Sequence, residues 1–214
     1  MTISPSKLAT YETCPRQYEA KYITKEVKFQ SNAHADFGNA VHKNIEDYLL
    51  GKGELAQRLI PMKEVFDKHA NKLIATERKM GMSASHKPAS MYGNGTWINC
   101  VTDAAYASAD GTRILIIDWK TGKNREADIQ ADMNKVIVAA HYPAATLIET
   151  AFVHLFHGGI IHQTYIPGET KLPTLYGKIL RLERAHREGV FEPTPNGLCK
   201  SWCDVLSCPH NGRR

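Results

Sequence analysis

Three cysteines crowd the C-terminal end of this sequence, and they strongly restrict what that segment can fold into. Cys199, Cys203 and Cys208 lie within ten residues, in a stretch interrupted by proline and glycine. Such a segment has too few apolar side chains to form a core of its own, so we expect it to wrap around something that thiolates coordinate. Zinc is the first alternative, with either Cys14 or His210 as the fourth ligand. An iron–sulfur cluster is the second, and the spacing does not choose between them.

Length and composition indicate a folded domain. The chain has 214 residues and is 43% hydrophobic, which is enough for a sizeable core and excludes a disordered tail. Its formal charge of +5 suits a polyanion partner but is too small for a basic tail. The N-terminal residues carry no secretory signal pattern, and no apolar run approaches the roughly 20 residues of a membrane span. We therefore expect a soluble, cytoplasmic protein with no membrane contact and no disulfide framework.

Hydrophobic periodicity predicts a mixture of helices and strands. Two short helical pieces bent at Cys14-Pro15 are expected over 4–22, because a proline interrupts the pattern there. Two strand-like runs flank the turn dipeptide Asp110-Gly111 and predict a β-hairpin. Further helices are expected over 36–50, 54–80, 126–141 and 169–188, and further strands near 150–157 and 160–166.

The predicted helix 54–80 lies in the most basic part of the chain. From Lys52 to Lys87 there are eight Lys or Arg and four Asp or Glu, so this stretch supplies a net +4 of the total +5. A solvated helix face is the simpler interpretation. The same charges, together with Arg16, Lys123 and Arg125, could instead lie along a phosphate backbone.

Acidic residues in the predicted hairpin suggest a metal site. Asp103 lies in the first strand and Asp118 near the end of the second, so a twisted antiparallel pair could bring the two carboxylates together. Adjacent carboxylates repel each other unless a cation lies between them. With Lys120 two residues beyond Asp118, the set has the components of a magnesium-dependent phosphodiesterase. The Asp-x-Lys pattern alone is a weak signal.

The order of four motifs resembles the PD-(D/E)xK nucleases of the RecB exonuclease family. These motifs are GNAVHKNIE at 38–46, VTDAAY at 101–106, DWKTGK at 118–123, and Gln130 at the head of a predicted helix. The resemblance implies an α/β fold like that of the restriction endonucleases, with a mixed central sheet flanked by helices, N-terminal helices and a C-terminal cysteine loop. The likeness extends from about Ile3 to Cys208.

Each motif implies a role for particular residues. By resemblance, His42, Asp103 and Asp118 bind the catalytic Mg²⁺ or Mn²⁺, helped by the backbone carbonyl of Trp119. Lys120 is the implied catalytic lysine. Gln130 belongs to the implied catalytic residues with Asp103, Asp118 and Lys120, because the matching glutamine helps to place the DNA backbone or the lysine. Glu46, an acid one turn after the histidine, is the implied supporting residue.

The cysteine pattern resembles the iron–sulfur branch of that family, which includes CRISPR-adaptation nucleases and phage recombination exonucleases. In that branch one cysteine before the nuclease core and three after it hold a 4Fe-4S cluster. The match is Cys14 with Cys199, Cys203 and Cys208, which leaves Cys100 unused. Two positions depart from the family pattern: Cys100 stands where glycine is frequent, and Asn134 stands where tyrosine is frequent.

The resulting expectation is a DNA exonuclease of recombination, repair or phage DNA processing, in the cytosol of a bacterial or phage-infected cell. The resemblance allows a single-strand annealing or single-strand-binding protein as a partner. We expect one nuclease domain over 1–214, divided into an N-terminal helical segment (1–35), a helical region with the metal histidine (36–94), the nuclease core (95–190) and the cysteine loop (191–214). The alternative is a non-catalytic nucleic-acid-binding module whose cysteine loop is held by Zn²⁺.

Overall fold

The described residues group into two compact units. The computed structural model describes residues 1–28, 32–122 and 128–213. One unit, here called the sheet unit, consists of Met1–Thr2 and Ser31–Lys171. The other, here called the cysteine unit, consists of Ile3–Gln30 and Leu172–Arg214. The domain boundaries expected from the sequence stay a prediction.

A six-stranded mixed β-sheet forms the sheet unit. The strands are β1 (Leu73–Ser83), β2 (Pro88–Ala89), β3 (Thr96–Ala107), β4 (Arg113–Lys120), β5 (Leu147–His154) and β6 (Ile160–Tyr165), in the order β2-β1-β3-β4-β5-β6. The β4/β5 pair is parallel and the other pairs are antiparallel. A parallel pair needs a crossover connection, and the helix between β4 and β5 supplies it. The predicted α/β fold class is confirmed.

The hairpin of β3 and β4 forms where the sequence predicts it. Gly111 has a φ of +70°, a left-handed conformation that glycine adopts without steric cost. The carboxylate of Asp110 accepts hydrogen bonds from the hydroxyl of Ser108 and from the backbone and side chain of Thr112. These bonds explain why the pKa of Asp110 is lowered to about 2. The turn thereby sets the strand register, Ala104 opposite Ile117.

Helices cover both faces of the sheet. The helices of this unit are α3 (Ala33–Leu49), α4 (Lys63–Asp67) and α5 (Asp128–His141). Val41 and Ile45 of α3 pack in one core with Ile117 and Trp119 of β4. Neighbouring strand residues point to opposite faces, so Asp118 and Lys120 point the other way, towards α5. Residues of β4 therefore contact α3 on one face of the sheet and α5 on the other.

The predicted helix over 54–80 is wrong. That stretch contains a 3₁₀ helix (Gln57–Met62), then α4, then a second short 3₁₀ turn, and from Leu73 it is strand β1. Pro61 has no backbone N–H to donate and disfavours a continuous helix. Pairing of β1 with β3 overrides the helical spacing of the apolar residues. The region 36–94 therefore contains two strands as well as helices.

The cysteine unit is helical and rich in loops. Its described helices are α1 (Pro5–Thr13), α2 (Pro15–Tyr18), which continues into a π-helical turn (Glu19–Ile23), α6 (Pro173–Glu188) and a 3₁₀ helix (Gly197–Lys200). Ser4 caps α1 by accepting a hydrogen bond from the Lys7 backbone. Cys14 is extended between α1 and α2, so the predicted bend at Cys14-Pro15 is confirmed. No helix in the described ranges has the length and apolar character to cross a membrane.

Candidate active site

Asp103 and the Asp118–Trp119 peptide meet at the centre of the sheet. The backbone N–H of Trp119 donates a 2.7 Å hydrogen bond to Oδ2 of Asp103. Both carboxylates are almost fully buried, with 9% of Asp103 and 4% of Asp118 exposed. Trp119 itself anchors this part of β4, because its ring is buried against Phe66 at a centroid distance of 5.0 Å. The antiparallel hairpin therefore brings together the two acids that were predicted to meet.

His42 approaches the same carboxylate from helix α3. Its Nδ1 lies 3.3 Å from Oδ2 of Asp103. Burial lowers the pKa of His42, but its hydrogen bond with Asp103 and the charges of Asp103, Asp118 and Glu77 outweigh burial, and the pKa is raised overall. The position follows from the helix pattern, because Val41 and Ile45 point into the core and orient the intervening turn. The structure thus brings His42 next to Asp103.

Glu77 is a further site residue that sequence reasoning missed. Its Oε1 lies 3.9 Å from Nδ1 of His42, and one ligand atom each of His42, Glu77 and Asp103 forms a group compact enough to hold a metal ion. Glu77 lies across from Asp103, between the β1/β3 pairs Thr76↔Ala104 and Arg78↔Thr102. Because the sequence pattern predicted a helix there, it gave no indication of this strand pairing.

The backbone of Glu77 is in an unusual conformation. Its φ is +44°, in the left-handed region that residues other than glycine rarely adopt. Such a conformation costs on the order of 1–3 kcal/mol and concentrates at functional sites. No sequence signal marks it, because glutamate has no preference for this region.

Lys120, Gln130 and Asp118 form a connected network between β4 and α5. The Lys120 ammonium donates a 2.8 Å hydrogen bond to Oε1 of Gln130. The amide nitrogen of Gln130 donates to Oδ1 of Asp118. Nζ of Lys120 also lies 2.6 Å from Oδ2 of Asp118, as an ion pair. Gln130 thus bonds to both the acid and the lysine, and its role in catalysis stays a prediction.

The remaining two predicted residues lie beside this group. Glu46 follows His42 by one helical turn and pairs with Lys43 at 3.1 Å, and its charge helps raise the pKa of Glu77. Trp119 contributes its peptide, whose N–H binds Asp103. A role for its carbonyl as a ligand stays a prediction.

The set of donors fits a divalent cation. Burial, and next the charge of Asp103, raise the pKa of Asp118, although Lys120 and His42 oppose the shift. Burial and Asp103 likewise raise the pKa of Glu77. Carboxylates that disfavour each other's ionised forms gain when a hard cation lies between them. Oδ2 of Asp118 is buried without a hydrogen bond of good geometry, despite the nearby ammonium. The residues present therefore suit Mg²⁺ or Mn²⁺.

The four predicted cluster cysteines line one cavity in the cysteine unit. Cys14, Cys199, Cys203 and Cys208 line this cavity, and His210 lines it too. None of these four cysteines, all within the described ranges, forms a disulfide. Cys100 is buried in β3 of the sheet unit, where burial raises the pKa of its thiol to about 12. The sequence-based selection of four cysteines out of five therefore matches one cavity, and both His210 and Cys14 are present as possible fourth ligands.

Backbone amides point at two of these sulfurs. The N–H of Thr194 donates to Sγ of Cys14, and the N–H of Asn196 donates to Sγ of Cys199, both at 3.4 Å. Donors of this kind stabilise thiolates and tune iron–sulfur centres. The Asn196 side chain also donates to the carbonyl oxygen of Thr13, which ties the loop to the end of α1.

The predicted phosphate-binding cations differ in their pairing. Arg16 is paired with Glu19 at 3.0 Å and with Glu26 at 2.6 Å, so acids already occupy its guanidinium. Lys63 of the basic stretch contacts Asp67 in the same way. Lys123 and Arg125 lie outside the described residues. The interpretation of the whole stretch as one phosphate-binding helix face does not hold, because the helix is absent.

Comparison with known proteins gives one family match. The family model described as "PD-(D/E)XK nuclease superfamily" matches residues 2–209. No curated protein shows a significant match to the sequence. A solved structure titled "Crystal structure of SSO0001" is similar to this chain with a TM-score of 0.49 and 17% sequence identity. That similarity covers 97% of this chain and 85% of the other.

Proposed function

The chain belongs to the PD-(D/E)XK nuclease superfamily, and we propose that it is a Mg²⁺- or Mn²⁺-dependent DNA exonuclease. The observation that carries the proposal is the convergence of the predicted motif residues on one buried site. His42 and Asp103 are in contact, and Asp118, Lys120 and Gln130 are linked by hydrogen bonds and an ion pair. Proteins of this superfamily are nucleases that generally use divalent metals, and this donor set suits such a metal.

In this proposal each residue has a distinct task. His42, Glu77, Asp103 and Asp118 hold the cation, which when bound polarises the phosphoryl oxygen and lowers the pKa of a water. The Lys120 ammonium orients the attacking water and offsets the negative charge that develops on phosphate. Gln130 orients Lys120 and Asp118, because its amide bonds to both side chains.

The cysteine cavity supports a second part of the proposal, a 4Fe-4S cluster held by Cys14, Cys199, Cys203 and Cys208. Four thiols around one cavity, with amide donors to two sulfurs, suit such a cluster. Its role is structural: it joins the α1/α2 junction to the C-terminal loop. These features match the RecB-like, iron–sulfur branch of the superfamily. In this proposal the protein acts in recombination or phage DNA processing, together with a single-strand annealing or single-strand-binding protein.

Digestion of end-labelled DNA tests the proposed activity. We expect protein purified without oxygen to release labelled nucleotides from DNA ends with Mg²⁺ or Mn²⁺, and to release none with EDTA. Single-stranded, double-stranded and covalently closed circular DNA are compared in parallel. Cutting of the closed circle would contradict exonuclease action, and equal digestion in EDTA would contradict metal dependence.

Glu77→Gln is expected to weaken metal binding by about 10- to 100-fold, comparable to the loss of groups that support a metal site. The neutral amide keeps the shape of the side chain but removes one negative charge from the group with His42 and Asp103. Mn²⁺ titration by calorimetry measures the affinity. Glu64→Gln, an acid in the first turn of α4, is the control. Equal Mn²⁺ affinity of the Glu77→Gln and wild-type proteins would remove Glu77 from the proposed ligand set.

A further inference from the structure

Arg58 lies against two neighbouring aromatic rings in the sheet unit. Its guanidinium carbon lies 4.9 Å from the ring centroid of Phe37 and 5.6 Å from that of Phe156. The two rings are 5.7 Å apart and tilted by 38°. Attraction between a cation and ring faces restricts a side chain that would otherwise sample many rotamers. The 3₁₀ helix that carries Arg58 thus presents a positioned guanidinium.

Both rings belong to segments that touch the residues around Lys120. Phe37 precedes His42 on α3, and a Cβ at its neighbour Gly38 would lie 3.4 Å from Oγ1 of Thr121. Phe156 follows Leu155, whose backbone N–H donates a 3.0 Å hydrogen bond to the carbonyl oxygen of Lys120. The aromatic pair therefore lies near the end of β4 that carries Lys120.

The charge of Arg58 is not matched by an acid within the described ranges. Ion pairs there engage Lys63 with Asp67 and Arg113 with Glu149, but none engages Arg58, whose side chain is exposed. Contact with aromatic rings does not use the N–H donors of a guanidinium for hydrogen bonds to an acid, so they stay available to an anion. A planar fork of donors suits the two oxygens of a phosphate.

We infer that Arg58, positioned by its contacts with Phe37 and Phe156, binds a phosphate of the DNA strand that enters the active site; the inference rests on the proposed nuclease function. A cation at this position offsets the repulsion between the carboxylates of the site and the DNA backbone. Because the rings already restrict the side chain, less conformational entropy is lost on binding. The phosphate is either an internal phosphodiester or a terminal phosphate.

Binding of DNA by three variants tests this inference in EDTA, where no hydrolysis is expected. Arg58→Ala should weaken binding about tenfold, as expected for a hydrogen bond to a charged group. It should also reduce the slope of log affinity against log salt by about 0.9, the value for one duplex phosphate contact. The affinity of Arg58→Lys for DNA should lie between those of wild type and Arg58→Ala, because lysine keeps the charge without the planar fork of donors. Arg113→Ala removes the same charge at the opposite end of β4 and should stay within about twofold of wild type.

Three DNAs of equal length distinguish the source of the phosphate: 5′-phosphorylated linear, 5′-hydroxyl linear and closed circular. If Arg58→Ala loses affinity only for the phosphorylated linear DNA, Arg58 binds a terminal phosphate. If it loses affinity for all three DNAs, Arg58 binds an internal phosphate. Unchanged affinity and salt slope of Arg58→Ala, or an equal loss in Arg113→Ala, would overturn the inference. If Arg58→Ala fails to fold, as judged by circular dichroism, Arg58→Lys decides by the same criteria. A separate result would contradict the proposed function: the wild-type protein would bind DNA but not cleave it in the presence of Mg²⁺.

Discussion

Replacing Asp118 by asparagine is expected to lower Mg²⁺-dependent DNA hydrolysis by at least about a thousandfold, within the range for loss of an essential catalytic group. Asparagine has nearly the same shape and can still accept the hydrogen bond from Gln130. It removes the negative charge that pairs with Lys120 and that is proposed to bind the cation. Initial rates on end-labelled DNA measure the effect.

The same substitution should leave the metal-free fold intact. Asp118 is buried, and burial and Asp103 already disfavour its charge, so the repulsion that a neutral side chain removes offsets the ion pair with Lys120 that it loses. We expect the melting temperature in EDTA to stay close to that of wild type. Wild type should gain stability when Mg²⁺ is added, because a ligand that binds only the folded state raises its stability, and the variant should not.

Two further variants separate the roles within this network. Lys120→Ala should lose hydrolysis by a factor of about a hundred or more but keep the Mg²⁺-dependent rise in melting temperature, because the lysine is proposed to act on water and phosphate. Asp67→Asn, which removes an exposed carboxylate paired with Lys63, is the control and should hydrolyse DNA at nearly the wild-type rate. Normal hydrolysis by Asp118→Asn or Lys120→Ala would refute the assignment of the site.

Cys199→Ser is the second substitution with a large expected effect. Protein purified without oxygen should be brown and hold about four iron and four sulfide per chain, and the variant should lose most of both. Because the free energy of binding a structural metal centre is part of the free energy of folding, we expect the variant to be poorly soluble or to melt at a markedly lower temperature. Iron and sulfide assays and thermal melts measure these losses.

Cys100 provides the matched control within the same chain. It is buried in β3 of the sheet unit and does not line the cysteine cavity. Cys100→Ala should keep full iron content and lose at most about 1–2 kcal/mol of stability from the small void. Stoichiometric zinc without colour in the wild type would contradict the iron–sulfur proposal. In that case, zinc loss in either Cys14→Ser or His210→Ala would identify the fourth ligand.

Local sequence patterns were sufficient for much of the fold. The Asp110-Gly111 turn, the β-rich runs on either side and the bend at Cys14-Pro15 all formed where expected, because each depends on the conformational preferences of neighbouring residues. The helix predicted over 54–80 is wrong for the opposite reason. Its apolar spacing suited a helix, but the strand part of it is stabilised by β3, which lies far along the chain.

Some residues of the candidate site could likewise be predicted from the sequence, and others could not. Asp103, Asp118 and Lys120 could be selected from the sequence because strand alternation and a hairpin predict which side chains meet. Glu77 could not, because its place across from Asp103 depends on the β1/β3 register and on a left-handed backbone. Arg58 was one cation among many in a basic stretch, and only its contacts with Phe37 and Phe156 distinguish it.

The sequence by itself determined the hairpin and the lopsided placement of the cysteines, which depend on residue type and on short spacings. Its resemblance to a nuclease family, carried by the order of four motifs, selected His42, Asp103, Asp118 and Lys120 as a candidate site. Only the tertiary structure decided that Glu77 joins the site, that Cys14 lines one cavity with the C-terminal cysteines, and that Cys100 does not. Such contacts join residues that are distant along the chain, and their partners are set by packing of the whole unit, which no local pattern encodes.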